Sequence, residues 1–478
     1  MSEPAAGQPP GASAPAAPGG HRWSTRLRHS ALRRALAPRR RHAALALLCM
    51  VLALGSAERS ALSVASPALV AEPGFDTTVM GWLMAAFGWS YVLAHLPVGL
   101  VVTRYGVRRV TTLGLAGGAL VSLGMAAAGA PWWAAQAAWI MLGLRLLLGV
   151  VQSPLGSISG VVLAQWFPAG ERGVAGAVYT SIPYLSFAVL NPLMGWLTQQ
   201  AGWRTMFVAM GVLGLGATAL WWRGFILPAE DRRLSARERR LLQHGGAMWP
   251  GRRSDGQPGT SINPSGLIMA RSTSQVLRVL FTHRMMVGTL TAQYTVNAIT
   301  WFFVGWFPLY LVQDQGASVA QAAALSAIPA LAGFAGGLLS GLVSDRILRR
   351  TGNLTLARKA PVYVGITVSV LATLACLLTH DLGTIVALMA LAFFGKQVGT
   401  LGWTLVADLA PRNRLAFTGS VVNGVGNLSG VFTPLLIGWL VARTGNFDAA
   451  LVAVALHGVV AVLAHLLITG PLQRMRSL

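Results

Sequence analysis

Gly99-Leu-Val-Val-Thr-Arg104-Tyr-Gly106-Val-Arg108-Arg109 returns later in the chain as Gly341-Leu-Val-Ser-Asp345-Arg346-Ile-Leu-Arg349-Arg350. The two stretches are 242 residues apart, and the same offset relates Arg172 to Arg414 and Pro192 to Pro434. Several landmarks that share one spacing indicate an internal duplication. We therefore predict two homologous halves, each built around one copy of this stretch.

Long apolar runs surround both copies. Of the 478 residues, 54% are hydrophobic and 11% are charged, whereas about a quarter of the residues of a soluble protein are charged. Runs of about 20 apolar residues alternate with short polar breaks, as in helical membrane proteins, and the period-2 alternation of an outer-membrane barrel is absent. The sequence predicts an all-α integral membrane protein with twelve transmembrane helices, in two six-helix bundles related by pseudo-twofold symmetry.

The apolar runs also set the domain boundaries. The predicted spans lie at about 43–70, 78–103, 109–129, 133–165, 173–198, 204–227, 285–312, 318–343, 360–379, 382–407, 415–442 and 447–470. They place an N-terminal bundle at 43–227 and a C-terminal bundle at 285–470. The segment 228–284 is a predicted linker, 1–42 a disordered, Arg-rich N-terminal tail, and 471–478 a C-terminal tail.

The basic residues predict the orientation in the membrane. Lys and Arg number 37 against 14 Asp and Glu, and nearly all of them fall on the side of the tails and the linker. Only Arg204 and Arg443 fall on the opposite side. Because Lys and Arg are retained in the cytoplasm, both termini are predicted to be cytoplasmic, in a multi-pass protein of the bacterial inner membrane. The net charge of +23 is then explained by the membrane orientation of the chain, and it would also attract anionic lipid. Nucleic-acid binding is therefore not expected.

The sequence lacks the signals of an enzyme. Cys49 and Cys376 each lie inside an apolar run, which excludes a disulfide framework. No metal-ligand cluster, catalytic triad or phosphate-binding Gly-x-x-x-x-Gly-Lys-Ser/Thr loop is present. We expect no metal, no cofactor, no catalytic residue and no direct use of ATP.

Four ionisable residues fall within the spans: Glu58, Arg59, Arg145 and Lys396. A charge inside a bilayer costs several kcal/mol unless it is paired or faces a polar cavity, so such residues are candidates for function. Their sum is positive, which matches an anionic substrate. Two linked bundles place a binding site near the bilayer midplane, opened alternately to either side.

Further motifs along the chain indicate a protein family. They are Glu58-Arg59-Ser-Ala-Leu-Ser63, Tyr91, Arg145-Leu-Leu-Leu-Gly149, Trp166-Phe-Pro-Ala-Gly-Glu171-Arg172-Gly, Trp306-Phe-Pro-Leu-Tyr310, Gly395-Lys396 and Asn423-Gly-Val-Gly-Asn427. Together with the duplicated loop they resemble the major facilitator superfamily, and within it the anion:cation symporters that carry sugar acids, hexuronates, galactonate and phthalates. The resemblance covers about residues 43–470.

This resemblance assigns the duplicated loop to a cytoplasmic gate that latches the two halves. The corresponding residues are Gly99, Arg104 and Arg108 in the first copy and Gly341, Asp345, Arg346 and Arg350 in the second. The first copy has Thr103 where the family has an acid, so its latch lacks a carboxylate. A basic loop that only fixes orientation is the alternative.

The resemblance also assigns the residues of the spans. Glu58 and Arg59 correspond to a proton-coupling pair, and Arg145 to the arginine that meets the substrate carboxylate. Gln152 stands where many relatives have a second proton-carrying glutamate, which leaves the proton count open. The alternatives are that Glu58 and Arg59 only neutralise charge, and that Arg145 braces two helices.

Tyr91, Lys396, Asn423 and Asn427 complete the predicted substrate site, with Gln152 as a hydrogen-bonding member. Lys396 would attract the anion and the two asparagines would bind hydroxyl groups. Their alternatives are packing for Tyr91, packing or snorkelling for Lys396, and interhelical hydrogen bonds for the asparagines. Pro183 replaces a polar ligand common in sugar-acid relatives, which makes a less hydroxylated carboxylate a further possibility.

We therefore predict a secondary active transporter that imports an organic carboxylate, a sugar acid or a related anion, with protons by alternating access. A drug or metabolite exporter and an uncoupled facilitator or exchanger are the competing functions. The predicted partners are the small anion, protons and the lipid bilayer, and the chain is expected to act as a monomer.

Overall fold

The computed structural model describes residues 40–95, 98–130, 136–168, 171–245, 247, 273–400, 409 and 415–472. The predictions for the tail up to residue 39, for linker residues 248–272 and for residues 473–478 fall outside this set. Throughout the described ranges the regular structure is helical.

The first half folds into six membrane-length segments, here called spans 1 to 6. Span 1 is Arg40–Val70, span 2 is Thr77–His95 followed by a short helix Val98–Tyr105, span 3 is Val107–Ala128 and span 4 is Ala137–Trp166. Spans 5 and 6 form one stretch, Arg172–Gly224, interrupted at Gly202. Gly202 has φ 83° and ψ 158°, a conformation that glycine adopts without steric cost, so the chain turns there between two spans.

The second half supplies spans 7 to 12. Span 7 consists of Arg284–Gly305 and Phe307–Gln313, which meet at a 52° bend, and span 8 of Val319–Leu325 and Ala327–Thr351. Span 9 is Leu354–Ala375, span 10 Leu382–Val398, span 11 Leu415–Thr444, and span 12 Asp448–Leu463 with a π-helical end at Ala464–Ile468. The bend in span 7 falls beside Pro308, which lacks the N–H needed to continue a helix.

These segments confirm the predicted twelve-helix architecture. Counting the bent span 7 as one, ten described helices are long and apolar enough to cross a membrane. The shorter apolar span 10 and the division of spans 5 and 6 at Gly202 bring the number to twelve. Large apolar side chains such as Leu113, Trp139 and Leu378 are exposed on the isolated chain, and a bilayer would cover them.

Some predicted boundaries were wrong. Span 1 already includes Arg40 and Arg41, inside the segment predicted as tail, and the Glu238 carboxylate accepts hydrogen bonds from the backbone N–H groups of both residues. A carboxylate at this position compensates the unpaired donors and the positive end of the helix dipole. The helix of span 10 ends at Val398, before the predicted end at 407, and residues 401–408 lie outside the described ranges.

The predicted linker contains two helices, Ala236–His244 and Thr273–Thr282. The first docks on the N-terminal bundle through Glu238, which accepts from the backbone N–H groups of Arg40 and Arg41, and nearby Arg40 Nε lies 2.7 Å from Asp231 Oδ2. We call the side of the bundle that carries this helix the linker side, and the opposite side the far side.

The two halves contact each other from mid-depth to the far side. Spans 2 and 11 approach closely, because the missing side chains of Gly81 and Gly88 leave room for the carbonyls of Pro434 and Gly430. The Ser63 hydroxyl donates to the Gly305 carbonyl at 2.6 Å, and the Gln199 side chain accepts from the backbone N–H of Ala320 at 2.9 Å. These contacts close the space between the halves on the far side.

Candidate functional site

A cavity of about 280 Å³ lies between the two halves. Its size is close to the lower limit for pockets that hold small molecules. Both halves contribute to it, through spans 1, 2, 5, 7 and 11. The lining residues are Arg59, Phe87, Gly88, Tyr91, Pro183, Tyr184, Phe187, Thr300, Trp301, Val304, Asn423 and Asn427.

Arg59 gives the cavity its charge, because it is the one charged side chain among these lining residues. Its Nη2 donates to the Ser56 hydroxyl at 2.9 Å, which holds the side chain against its own helix. The four described ion pairs of the chain lie elsewhere, so no carboxylate pairs with Arg59 in the described part of the molecule. The guanidinium is therefore positioned to receive an anion from the cavity.

Aromatic and amide side chains complete the wall. Phe87 stacks on Tyr91 with ring centroids 5.4 Å apart, and lies 6.5 Å from the ring of Trp301 across the boundary between the halves. On span 11 the Asn427 Nδ2 donates to the backbone carbonyl of Asn423 at 2.8 Å. The predicted members Tyr91, Asn423 and Asn427 are thus brought together with Arg59.

Glu58 does not face this cavity. Consecutive residues of a helix point about 100° apart, so Glu58 points into the N-terminal bundle while Arg59 points out of it. The Glu58 carboxylate is 3% exposed and occupies a slot beside Gly118 and Gly214. Gln152 Nε2 donates to Glu58 Oε2 at 2.5 Å, whereas Glu58 Oε1 and Gln152 Oε1 have no hydrogen-bond partner among the described residues. Glu58 and Gln152 therefore form a buried acid–amide pair behind the cavity wall.

Arg145 also lies behind the wall. It is 4% exposed, its Nε donates to the backbone carbonyl of Leu83 at 3.1 Å, and its guanidinium lies 5.3 Å from the ring centroid of Phe87. In this structure Arg145 braces span 4 against span 2, which is the alternative that the sequence left open. The cation that reaches the cavity is Arg59.

Lys396 is buried in the C-terminal half. It is 2% exposed, and its Nζ donates to Gln397 Oε1 at 3.1 Å and lies 5.7 Å from the ring centroid of Phe393. It is not among the residues that line the cavity. An aromatic layer separates it from the open space.

The described polar and ring contacts of the predicted gate residues lie within their own halves. Arg108 Nε donates to the Trp222 carbonyl at 3.2 Å and its guanidinium lies over the Trp222 ring, and Arg104 lies over the ring of Tyr105. Asp345 Oδ1 lies 3.5 Å from Arg358 Nη1. Arg346 and Arg350 are exposed, as is Gly341, and Gly99 lies on the short helix Val98–Tyr105. Among the described residues, no ion pair joins the two copies of the loop.

Sequence reasoning missed part of the wall, namely Phe87, Gly88, Phe187, Thr300 and Val304. The duplication carried a signal for one of them, Thr300, because it relates Thr300 to the predicted site residue Glu58. The offset of 242 residues relates Glu58 to Thr300 and Arg59 to Trp301, and both members of the second pair line the cavity. Among the described residues, no three His, Cys, Asp or Glu side chains gather as metal ligands.

Comparisons with known proteins agree with this architecture. The family model described as Major Facilitator Superfamily matches residues 47–405. The probable galactarate/D-glucarate transporter GudP of Bacillus subtilis (strain 168) is 35% identical over 430 residues, covering 90% of this chain and 92% of that protein. The probable galactarate/D-glucarate transporter GarP of Escherichia coli (strain K12) is 37% identical over 437 residues, covering 91% of this chain and 96% of that protein.

Solved structures show the same fold. A D-xylose-proton symporter superposes with a TM-score of 0.64 at 14% sequence identity, covering 91% of this chain and 98% of that chain. At this identity the likeness shows the fold alone. The family match and the two relatives show that the chain is a multi-pass membrane transporter rather than an enzyme, and that it belongs to the major facilitator superfamily.

Proposed function

We propose that this transporter imports sugar acids into the bacterial cytoplasm together with protons. The observation that carries the proposal is the cavity between the halves, whose lining residues include one cation, Arg59, and no carboxylate. The names of the GudP and GarP relatives, galactarate/D-glucarate transporters, support a sugar acid as the anion.

The chemistry of the wall suits such a substrate. A planar guanidinium binds a carboxylate through two parallel hydrogen bonds. The amides of Asn423 and Asn427 and the hydroxyl of Thr300 can exchange hydrogen bonds with substrate hydroxyl groups. Phe87, Tyr91 and Trp301 offer apolar surface to the C–H groups of the carbon chain. In this proposal Arg145 acts indirectly, by holding Phe87 and span 2 in place.

Glu58 is the proposed proton carrier. Among the described residues it is the acid buried inside a membrane span, none of the described ion pairs includes it, and its partner Gln152 cannot carry a proton. Because Glu58 and Arg59 are neighbours on span 1, movement of that helix alters the surroundings of both groups together. A neutral Gln152 also favours a second candidate function, an uncoupled facilitator or exchanger of the same anions.

The proposed orientation follows from the basic residues. With the linker side in the cytoplasm, both termini are cytoplasmic and the cavity is closed towards the outside of the cell. Rocking of the halves would open the far side and bring the two copies of the duplicated loop together as the cytoplasmic latch. One chain contains both halves and the whole cavity, so a monomer suffices.

Uptake into proteoliposomes tests the substrate class. We expect labelled galactarate and D-glucarate to enter vesicles that contain the protein, and galactitol, the uncharged polyol with the same carbon chain, not to compete. Competition by galactitol equal to that by galactarate would contradict an anion site at Arg59. Transport of lipophilic drugs with no transport of sugar acids would favour the exporter.

A further inference from the structure

Lys396 lies in an environment that is unusual for a cation. The ammonium group has three N–H donors, yet its described polar contact is one amide oxygen, Gln397 Oε1 at 3.1 Å. No carboxylate forms an ion pair with it in the described part of the chain. A buried charge without an opposite charge costs several kcal/mol. A counter-charge that arrives from outside the protein would offset this cost.

A short path joins Lys396 to the cavity. The Gln397 side chain that accepts from Lys396 lies close to Tyr184, and Tyr184 lines the cavity. Phe393, one turn before Lys396, packs edge-on against Tyr184 with ring centroids 6.0 Å apart. Tyr184 belongs to the first half and Phe393 to the second. A movement between the halves therefore opens the layer that separates Lys396 from the cavity.

The two cations belong to different halves. Arg59 faces the cavity from span 1, and Lys396 lies behind its wall on span 10. A substrate with one carboxylate can neutralise only one of them. A substrate with a carboxylate at each end of an extended chain can neutralise both and thereby connect the halves.

We propose that Lys396 forms a second anion site, and that the preferred substrates are sugar acids with a carboxylate at both ends. One carboxylate binds Arg59, and the other binds Lys396 after Tyr184 and Phe393 separate. This inference rests on the proposed function and sharpens it, because it gives each end of the substrate its own residue and its own half of the protein.

A matched pair of substrates and a matched pair of variants test the inference. Galactarate and D-galactonate differ in that the C6 carboxylate of the first is a hydroxymethyl group in the second. Lys359 and Lys396 are the two lysines of the chain. Both are buried in the C-terminal half, but Lys359 donates to the backbone carbonyl of His465, away from the cavity. Initial uptake rates give the KM of each substrate for wild type, Lys396→Gln, Lys396→Arg and Lys359→Gln.

We expect Lys396→Gln to raise the KM for galactarate by about tenfold or more, the effect of losing one charged hydrogen bond. The KM for D-galactonate should change less than about twofold, since that substrate has no second charge. Lys396→Arg should keep most of the preference for galactarate over D-galactonate. Lys359→Gln should leave the ratio of the two KM values at its wild-type level.

An equal fold increase in the KM of both substrates in Lys396→Gln would overturn the inference and assign Lys396 to packing. KM values in that variant that equal the wild-type values for both substrates would also overturn it. Wild-type protein that transports neither acid would instead remove the proposed function itself.

Discussion

The two halves share one architecture but differ at positions that the duplication relates. Arg59 in the first half corresponds to Trp301 in the second, and both line the cavity. Glu58 corresponds to Thr300, and Arg145 to Ala387. Conversely, Lys396 in the second half corresponds to Pro154 in the first. Duplication therefore accounts for the bundles, whereas the charged residues within the spans differ between the halves.

The linker-side ends of the halves differ in a similar way. In the first half Arg40 and Arg41 pair with the carboxylates of Asp231 and Glu171. In the second half Arg284 donates to the backbone carbonyl of Ile468 at 2.7 Å, at the end of span 12. A carboxylate titrates and a carbonyl does not, so acid should weaken the Arg40–Asp231 pair and leave the Arg284 contact in place.

Removing the charge that distinguishes Arg59 from Trp301 should have the largest effect. We expect Arg59→Gln to lower sugar-acid uptake by about a hundredfold, as losing a charged, bidentate contact would. The melting temperature in detergent should be nearly unchanged, because Arg59 lines open space. Arg443→Gln, which removes an exposed arginine lying over Trp439, is the matched control and should transport normally. Uptake by Arg59→Gln at the wild-type rate would show that another cation receives the anion.

Filling the slot of Glu58 should have the next largest effect. A Cβ atom at Gly118 would overlap the Glu58 carboxylate, so Gly118→Ala must displace the acid or the helix. We expect a loss of about 1–3 kcal/mol of stability, typical of overpacking, and loss of proton-driven accumulation. Gly216→Ala is the control, since nothing lies within 4 Å of its added Cβ. Normal accumulation by Gly118→Ala would argue against a coupling role for this slot.

The ion pair of Asp231 on the linker side offers a third test. Burial alone would raise the pKa of Asp231, but hydrogen bonds from Arg40 and Arg233 outweigh it and hold this pKa below its ordinary value. A lowered pKa in the folded state contributes stability that is present at neutral pH and is lost as the pH falls through the folded pKa.

We expect Asp231→Asn to lower stability by roughly 1–3 kcal/mol at neutral pH. The melting temperature of this variant should depend less on pH below about 4 than that of the wild type. Glu230→Gln, an exposed neighbour, serves as the control. Parallel pH curves for wild type and Asp231→Asn would contradict the assigned role.

The smallest effect is expected from adding a second acid beside Glu58. Gln152→Glu replaces a neutral amide by a second carboxyl group, which can bind and release a proton beside Glu58. The pair should then exchange an additional proton in each cycle. Reversal potentials in proteoliposomes give the number of charges moved per galactarate, which we expect to change by one relative to wild type. An unchanged number would place position 152 outside the coupling path.

The fold was largely predictable from the sequence because the bilayer imposes a simple rule. Each span must be about 20 apolar residues long, and the duplicated loop marks where the halves repeat. The errors arose where local contacts decide the end of a helix. Span 1 includes Arg40, whose backbone N–H donates to the linker carboxylate Glu238, and that contact joins residues 198 positions apart.

The site was predictable only as a set of residue types. The sequence identifies Glu58, Arg59 and Arg145 as charges within spans, but the direction in which each side chain points depends on helix rotation and on neighbouring helices. For this reason the adjacent Glu58 and Arg59 could be taken as one pair, although the structure separates them. Arg145 became a brace because the Leu83 carbonyl of span 2 lies within its reach.

Accumulation of galactarate in proteoliposomes tests most directly the claim that charges in the first half drive transport. With an inward proton gradient, wild-type protein should concentrate galactarate above the external level, and collapse of the gradient should abolish this accumulation. Glu58→Gln should still equilibrate galactarate across the membrane without concentrating it. Accumulation by Glu58→Gln equal to that of the wild type, or none by the wild type under the gradient, would contradict proton coupling through Glu58.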